Sequence, residues 1–157
     1  IHGSAGDPVY FWDWYPDTLI GARFIGHPSD PQFQDAQLVI EPSASGIGSD
    51  LAPGWTMNDE WYSFAASPRL NGAQIVATLN EATYTPGVNR FGAVPLAMGT
   101  DHPIAWTRCV GKGRSFYSAV GHRPETYSDE RHIKLLEQAV TWTAKPGAAA
   151  CKAKAAR

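Results

Sequence analysis

Apolar residues fall in short runs along this chain, and their spacing predicts more strand than helix. Ala36–Ile40 (AQLVI), ended by Glu41-Pro42, and Ala73–Leu79 (AQIVATL) are compact apolar runs of strand length. Pro103–Val110 (PIAWTRCV) and Arg114–Val120 (RSFYSAV) flank Gly111-Lys112-Gly113, which is the pattern of a hairpin. Helical spacing dominates from Ser128 to Ala144. There Ile133, Leu136, Val140 and Ala144 recur every three or four residues, with Leu135, Ala139 and Trp142 beside them. This predicts a helix with a wide buried face, capped by Ser128, with Asp129 and Glu130 in its first turn and a stop at Pro146-Gly147. Pro16-Asp17-Thr18-Leu19 opens a shorter predicted helix, with Leu19, Ile20 and Phe24 as its apolar side up to Gly26-His27-Pro28. Ser29–Asp35 and Ser43–Ser49 read as loops, Trp55–Phe64 mixes aromatics with Asp59 and Glu60, and residues 80–101 form a Gly/Pro-rich connection long enough to be functional.

Composition narrows the class. The 157 residues fit one domain, expected over residues 1–144, with a basic Ala/Lys-rich tail or linker over 145–157. A net charge of −2 gives no electrostatic reason to bind nucleic acid or an acidic membrane, and no apolar run approaches the roughly 18 residues that span a bilayer. The two cysteines are too few for a disulfide scaffold; a buried, inert Cys109 and a free Cys151 are expected, with a bridge between them as the alternative. The compartment stays open between a bacterial cytoplasm and a secreted or periplasmic setting. Helices are too few to cover both faces of a parallel sheet, so residues before Ile1 or a second chain are expected to complete the fold, with a homo-oligomer as one form of the latter.

Candidate chemistry concentrates on histidines at element ends. Ile1-His2-Gly3-Ser4 reads as a strand entering a tight turn, an elbow with His2 at the reactive position, or else as a terminus on which His2 dangles. His27 and His102 each precede a proline, and His122 and Glu125 flank Pro124 directly after a strand. Imidazoles exchange protons near neutral pH or ligate metals, and a nearby Glu can orient one or take its proton. In the pair Asp59-Glu60, one carboxylate is expected to enter a cleft while the other faces water; capping a short helix or pairing with Arg69 is the alternative. No metal motif is diagnostic. The dense aromatic run Tyr10–Tyr15 is expected to line part of a cleft, since flat rings stack on the C–H faces of sugars.

Taken in order, Ile1-His2-Gly3, Phe24–Pro28, Asp59–Phe64, Val76–Tyr84, Asp101–Trp106, Gly113–Tyr117, Gly121–Glu125 and the helix ending at Trp142 resemble the ThuA-like (trehalose utilisation) family of bacteria. The resemblance implies an α/β fold of the flavodoxin-like, class I glutamine amidotransferase-like kind: a three-layer sandwich with a parallel sheet, here without its N-terminal βαβ portion. It places His2 where an amidotransferase has its Cys, His122 where that enzyme has its catalytic His, and Glu125 near its acid. Without a thiol at the elbow, glutamine hydrolysis through a thioester is excluded. The implied function is processing of a small carbohydrate, a disaccharide or 3-keto-sugar, by a hydrolase or isomerase. His2, His122 and Glu60 would be the catalytic residues, or would hold a divalent metal such as Zn. Trp14, Tyr15 and Trp61 would form a sugar platform, with His27 and Glu125 shaping the pocket. The alternative is a non-catalytic sugar-binding or accessory domain of a larger protein.

Overall fold

The computed structural model describes residues 12–43, 45–51, 53–89 and 94–145. In chain order its strands are β1 (Phe24–Gly26), β2 (Gln34–Ile40), β3 (Gly54–Asp59), β4 (Ser63–Phe64), β5 (Gln74–Asn80), β6 (Pro103–Val110) and β7 (Gly113–Ser118), followed by helix α1 (Glu130–Ala144). Five strands form one sheet in the order β3-β2-β5-β6-β7, and β1 pairs with β4 in a separate ribbon. Every one of these pairings is antiparallel.

The mixed α/β class stands, and the flavodoxin-like expectation is met only in part. Parallel neighbours need a crossover of a dozen or more residues. The β6–β7 connection is instead a tight turn, with Val110 opposite Gly113. Among the described residues α1 is the one α-helix, so helices do not cover both faces. None of the described helices is long and apolar enough to cross a membrane.

The central strand β5 is buried along its length from Ile75 to Leu79, which explains why its apolar run does not alternate. Leu38 of β2 stands opposite Leu79 of β5, and Trp106 of β6 opposite Tyr117 of β7. The Trp106 and Tyr117 rings stack at 4.4 Å, and Phe64 of the ribbon meets Trp106 edge-on at 5.1 Å. These aromatic contacts seat the β1–β4 ribbon on the sheet.

The predicted helix from Pro16 to Phe24 is a single π-turn, Tyr15–Ile20, which stops at Gly21. Gly21 has φ +85°, and a Cβ there would lie 2.5 Å from the Arg108 guanidinium. That guanidinium donates to the Thr18 and Asn71 carbonyls, while Trp106 Nε1–H donates to the Ile20 carbonyl. The turn is thereby fastened to β6, and Phe24–Gly26 is released to pair as β1.

Helix α1 begins at Glu130 with Asp129, one residue beyond the expected Ser128, as its cap; the Asp129 carboxylate accepts from the Arg131 and His132 N–H groups. Its buried stripe is His132, Leu135, Ala139 and Trp142. The expected apolar face is therefore rotated: Ile133 and Val140 are exposed, Val140 at 67%. Arg114 of β7 fixes the far end, donating to the Trp142 carbonyl at 2.8 Å with its guanidinium 5.2 Å from the Trp142 ring. Cys109 also departs from expectation. It is exposed at the end of β6 and disulfide-bonded. Cys151 and the rest of the basic tail beyond Lys145 lie outside the described residues.

Candidate active site

Two adjacent carboxylates organise one end of the sheet. Asp59 closes β3 and Glu60 follows it toward β4, and both are fully buried, so neither faces water. Nor do they pair with Arg69, which binds Glu41 and Asp101 instead. Successive side chains on an extended backbone point to opposite sides. Asp59 turns to the loop after β7, accepting from Gly121 N–H at 2.6 Å and Arg123 N–H at 3.0 Å. These bonds clasp the backbone on both sides of His122. Gly121 has φ +124°, and a Cβ there would lie 2.4 Å from the Tyr127 hydroxyl, so the turn has no space for a side chain.

Glu60 turns the other way and meets imidazoles on two sides. His27 Nδ1 stands 3.3 Å from Oε1, and His122 Nδ1 stands 3.0 Å from Oε2. The His122 contact is an ion-pair distance rather than an aligned hydrogen bond. Gln32 donates Nε2–H to Oε1 at 2.5 Å. A buried carboxylate without such partners would carry a desolvation cost of several kcal/mol. Burial first, then the charge of nearby Glu60, pushes the Tyr62 phenol far above the ordinary tyrosine range.

The rings around Glu60 are themselves held. Phe24 packs on Tyr62 at 4.6 Å and His27 stacks on it at 6.0 Å. His122, partly exposed, lies against Phe33 at 5.5 Å. Behind the cluster, buried His102 donates Nε2–H to the Tyr62 carbonyl at 2.8 Å and meets Glu81 Oε1 with Nδ1 at 2.7 Å. Glu81 in turn accepts from the Met98 and Gly99 N–H groups. His102 therefore supports the site from within the fold. In front, a cavity of about 450 Å³ is lined by Tyr15, Tyr62, Phe116, Tyr117, His122 and Tyr127, among others.

The structure brings together Glu60, His122, His27 and Tyr15 from the sequence expectations. Trp61 is not part of a sugar platform: it is fully buried, with Nε1–H donating to the Gln34 carbonyl at 2.7 Å. Exposed aromatic surface lies instead at Trp12, which stacks on Trp14 at 5.1 Å and on Tyr15 at 6.1 Å. Trp12 and Trp14 are 56% and 42% exposed, and the segment bearing them is pinned by Arg23, which binds both Asp13 and Asp17. Glu125 does not reach the imidazoles; it is exposed and paired with Arg123. A backbone hydrogen bond, and after it the Arg123 guanidinium, holds its carboxyl below the usual range.

His2 lies outside the described residues, and with it one member of the expected metal trio. Among the described residues no group of His, Cys, Asp or Glu side chains is arranged to hold a metal ion. Tyr62 and Asp59 both belong to the Asp59–Phe64 motif, yet neither role was legible there. The signal available was alternation: of two adjacent acids in an extended stretch, each must face a different partner.

The backbone is similar to the crystal structure of a ThuA-like protein from Bacteroides uniformis, with a TM-score of 0.67 and 23% sequence identity, over 87% of this chain and 53% of that one. The chain thus spans about half the length of that protein, and the likeness is one of fold. No curated protein matches the chain. The family model of ThuA, described as trehalose utilisation, matches residues 1–143, a span that carries β1 through β7, most of α1 and all the residues around Glu60. The chain belongs to the ThuA (trehalose utilisation) family.

Proposed function

We propose that the protein processes a disaccharide or a 3-keto-sugar by histidine-based acid–base chemistry. The observation that carries this reading is the fully buried Glu60 carboxylate with His27 and His122 at 3.3 and 3.0 Å. His122 is the acid–base group. Its Nδ1 edge addresses Glu60, which fixes the ring at the wall of the adjoining cavity. His27 braces the carboxylate from the opposite side. Tyr15, with Trp14 and Trp12 beyond it, offers stacking surface to sugar rings at the cavity rim.

Glycoside cleavage by two carboxylates needs both to face the scissile bond. Asp59 is occupied by the Gly121 and Arg123 N–H groups, so among these residues the imidazole, not a second acid, is the partner of Glu60. Trehalose and 3-keto-trehalose are the probes, followed by ¹³C NMR. His122→Ala and Glu60→Gln are each expected to lower kcat by about 100-fold or more while the fold is retained. Wild-type rates in both variants refute the assignment.

A sugar-binding role without turnover is the second reading, and the exposed Trp12–Trp14 stack favours it. Calorimetric binding of trehalose with no change in the sugar's NMR spectrum supports that reading and overturns the first.

A further inference from the structure

We infer that Tyr127 is a specificity-determining residue of this site, its phenol hydroxyl hydrogen-bonding to a hydroxyl of the uncharged sugar ring that lies beside His122. The inference rests on the proposed function and adds to it the group that selects the ring. The cavity wall is formed by Tyr15, Ile20, Tyr62, residues 116–122 and Tyr127, and it carries no Lys, Arg, Asp or Glu side chain. Aromatic faces, hydroxyls and one imidazole suit a neutral polyhydroxylated ligand, and they give a phosphate or carboxylate group no cationic partner.

The loop that Tyr127 shares with His122 sets its position. A Cβ on Gly121 would lie 2.4 Å from the Tyr127 hydroxyl and 2.9 Å from Cζ. The phenol therefore lies across the backbone of Gly121, with its hydroxyl next to the residue that carries the imidazole. Asp59 accepts the Gly121 N–H at 2.6 Å, which fixes the surface under the phenol. Away from that surface, the Tyr127 ring tilts against the ring of His132 at 5.4 Å. His132 is fully buried and donates Nδ1–H to the Thr126 carbonyl at 2.9 Å, while Thr126 Oγ1–H donates to the Arg123 carbonyl at 2.7 Å. The turn is thus ordered before a ligand arrives, which lowers the cost of binding.

Other hydroxyls on the wall are less available. Tyr62 is buried, the Tyr117 ring stacks on Trp106, and Ser118 Oγ already accepts from the Val120 N–H. Tyr127 is 54% exposed, and its hydroxyl has no hydrogen-bond partner among the described residues. It can donate to a sugar oxygen or accept from a sugar hydroxyl without breaking an internal bond.

The test compares wild type, Tyr127→Phe and His122→Ala in the full chain. Tyr127→Phe keeps the ring on His132 and removes only the hydroxyl. Calorimetry measures binding of trehalose and of its symmetric 2,2′-, 3,3′-, 4,4′- and 6,6′-dideoxy forms, ¹³C NMR follows conversion of 3-keto-trehalose, and thermal melts check the fold. Loss of one neutral hydrogen bond is expected to weaken trehalose binding by about 3–10-fold in Tyr127→Phe, with kcat within about threefold of wild type. One dideoxy form should show the same loss in wild type and none in Tyr127→Phe, a coupling that a purely structural role would not produce. Equal losses for every dideoxy form in both proteins, or a Tyr127→Phe affinity less than about threefold below wild type, overturn the inference. If His122→Ala is inactive at the same time, the proposed function stands. Coupled loss in Tyr127→Phe with full turnover in His122→Ala supports the role of Tyr127 and overturns that of His122. A wild-type chain that binds no trehalose overturns the inference, and the 3-keto-trehalose assay then decides the proposed function separately.

Discussion

Asp59→Asn is the most informative perturbation of this fold, because the side chain keeps its shape while its chemistry at the His122 loop changes. The carboxylate is fully buried and accepts from Gly121 N–H at 2.6 Å and Arg123 N–H at 3.0 Å. A hydrogen bond to a charged acceptor contributes about 1.5–3 kcal/mol, and a buried donor left without a partner costs about 1–3 kcal/mol. Asn retains one acceptor and turns an NH₂ toward the other N–H. One bond is lost and one donor faces another, which gives an expected destabilisation of about 3 kcal/mol. Urea unfolding followed by tryptophan fluorescence measures it, and the imidazole NMR resonances of His122 report whether the loop has moved. The expected result is a lower midpoint with an unchanged m-value and a displaced His122 signal. A loss below about 1 kcal/mol with His122 unmoved would falsify the view that Asp59 sets the loop.

Other expectations follow from single contacts. Trp61→Phe removes the donor to the Gln34 carbonyl and leaves a void, so stability falls by about 2–4 kcal/mol while trehalose affinity by calorimetry is unchanged. Weakened affinity at full stability would return Trp61 to the binding surface. Asp129→Ala removes the α1 cap and costs about 1 kcal/mol at pH 7. The Arg131 guanidinium, hydrogen-bonded to Asp129, holds its carboxyl below the ordinary 3.8. A folded value below the unfolded one means the charged cap contributes fully above 3.8, and that contribution is lost as pH falls through the lowered value. Thermal melts of the two proteins should therefore converge in strong acid, and a gap that persists there argues against a charge-dependent cap.

The elements legible in the sequence were those whose apolar pattern is decided locally. β5, β6, β7 and α1 fall within a few residues of their expected ranges, because a compact apolar run, a Gly-Lys-Gly turn or a three-to-four repeat carries its own geometry. The π-turn at Tyr15–Ile20 was not legible as such. Its length is set by Gly21 against Arg108, a contact 87 residues away in sequence. Aromatic content likewise gave no depth: Trp61 is core and Trp12 is rim, although each sits beside an acidic residue. At the site, Glu60, His122 and His27 could be picked out as residue types at element ends. Their convergence could not, because it follows from the antiparallel register and from Asp59 holding the loop. The rotated face of α1 has a similar cause. The cap at Asp129 and the anchor at Trp142 fix the helix about its axis, and they leave Val140 on the outside.

The bond from His102 to Tyr62 has a bearing on how the neighbouring loop can vary. Glu81 gathers His102 together with Met98 and Gly99, so the long connection between β5 and β6 is stitched shut at its base. Loop-closure entropy rises slowly with length once the ends are joined. Residues inserted just past Thr85 would therefore lengthen the tip without tugging on the carbonyl that steadies Tyr62. The connection can diverge in size and sequence while the knot at its base keeps the phenol in register with Glu60.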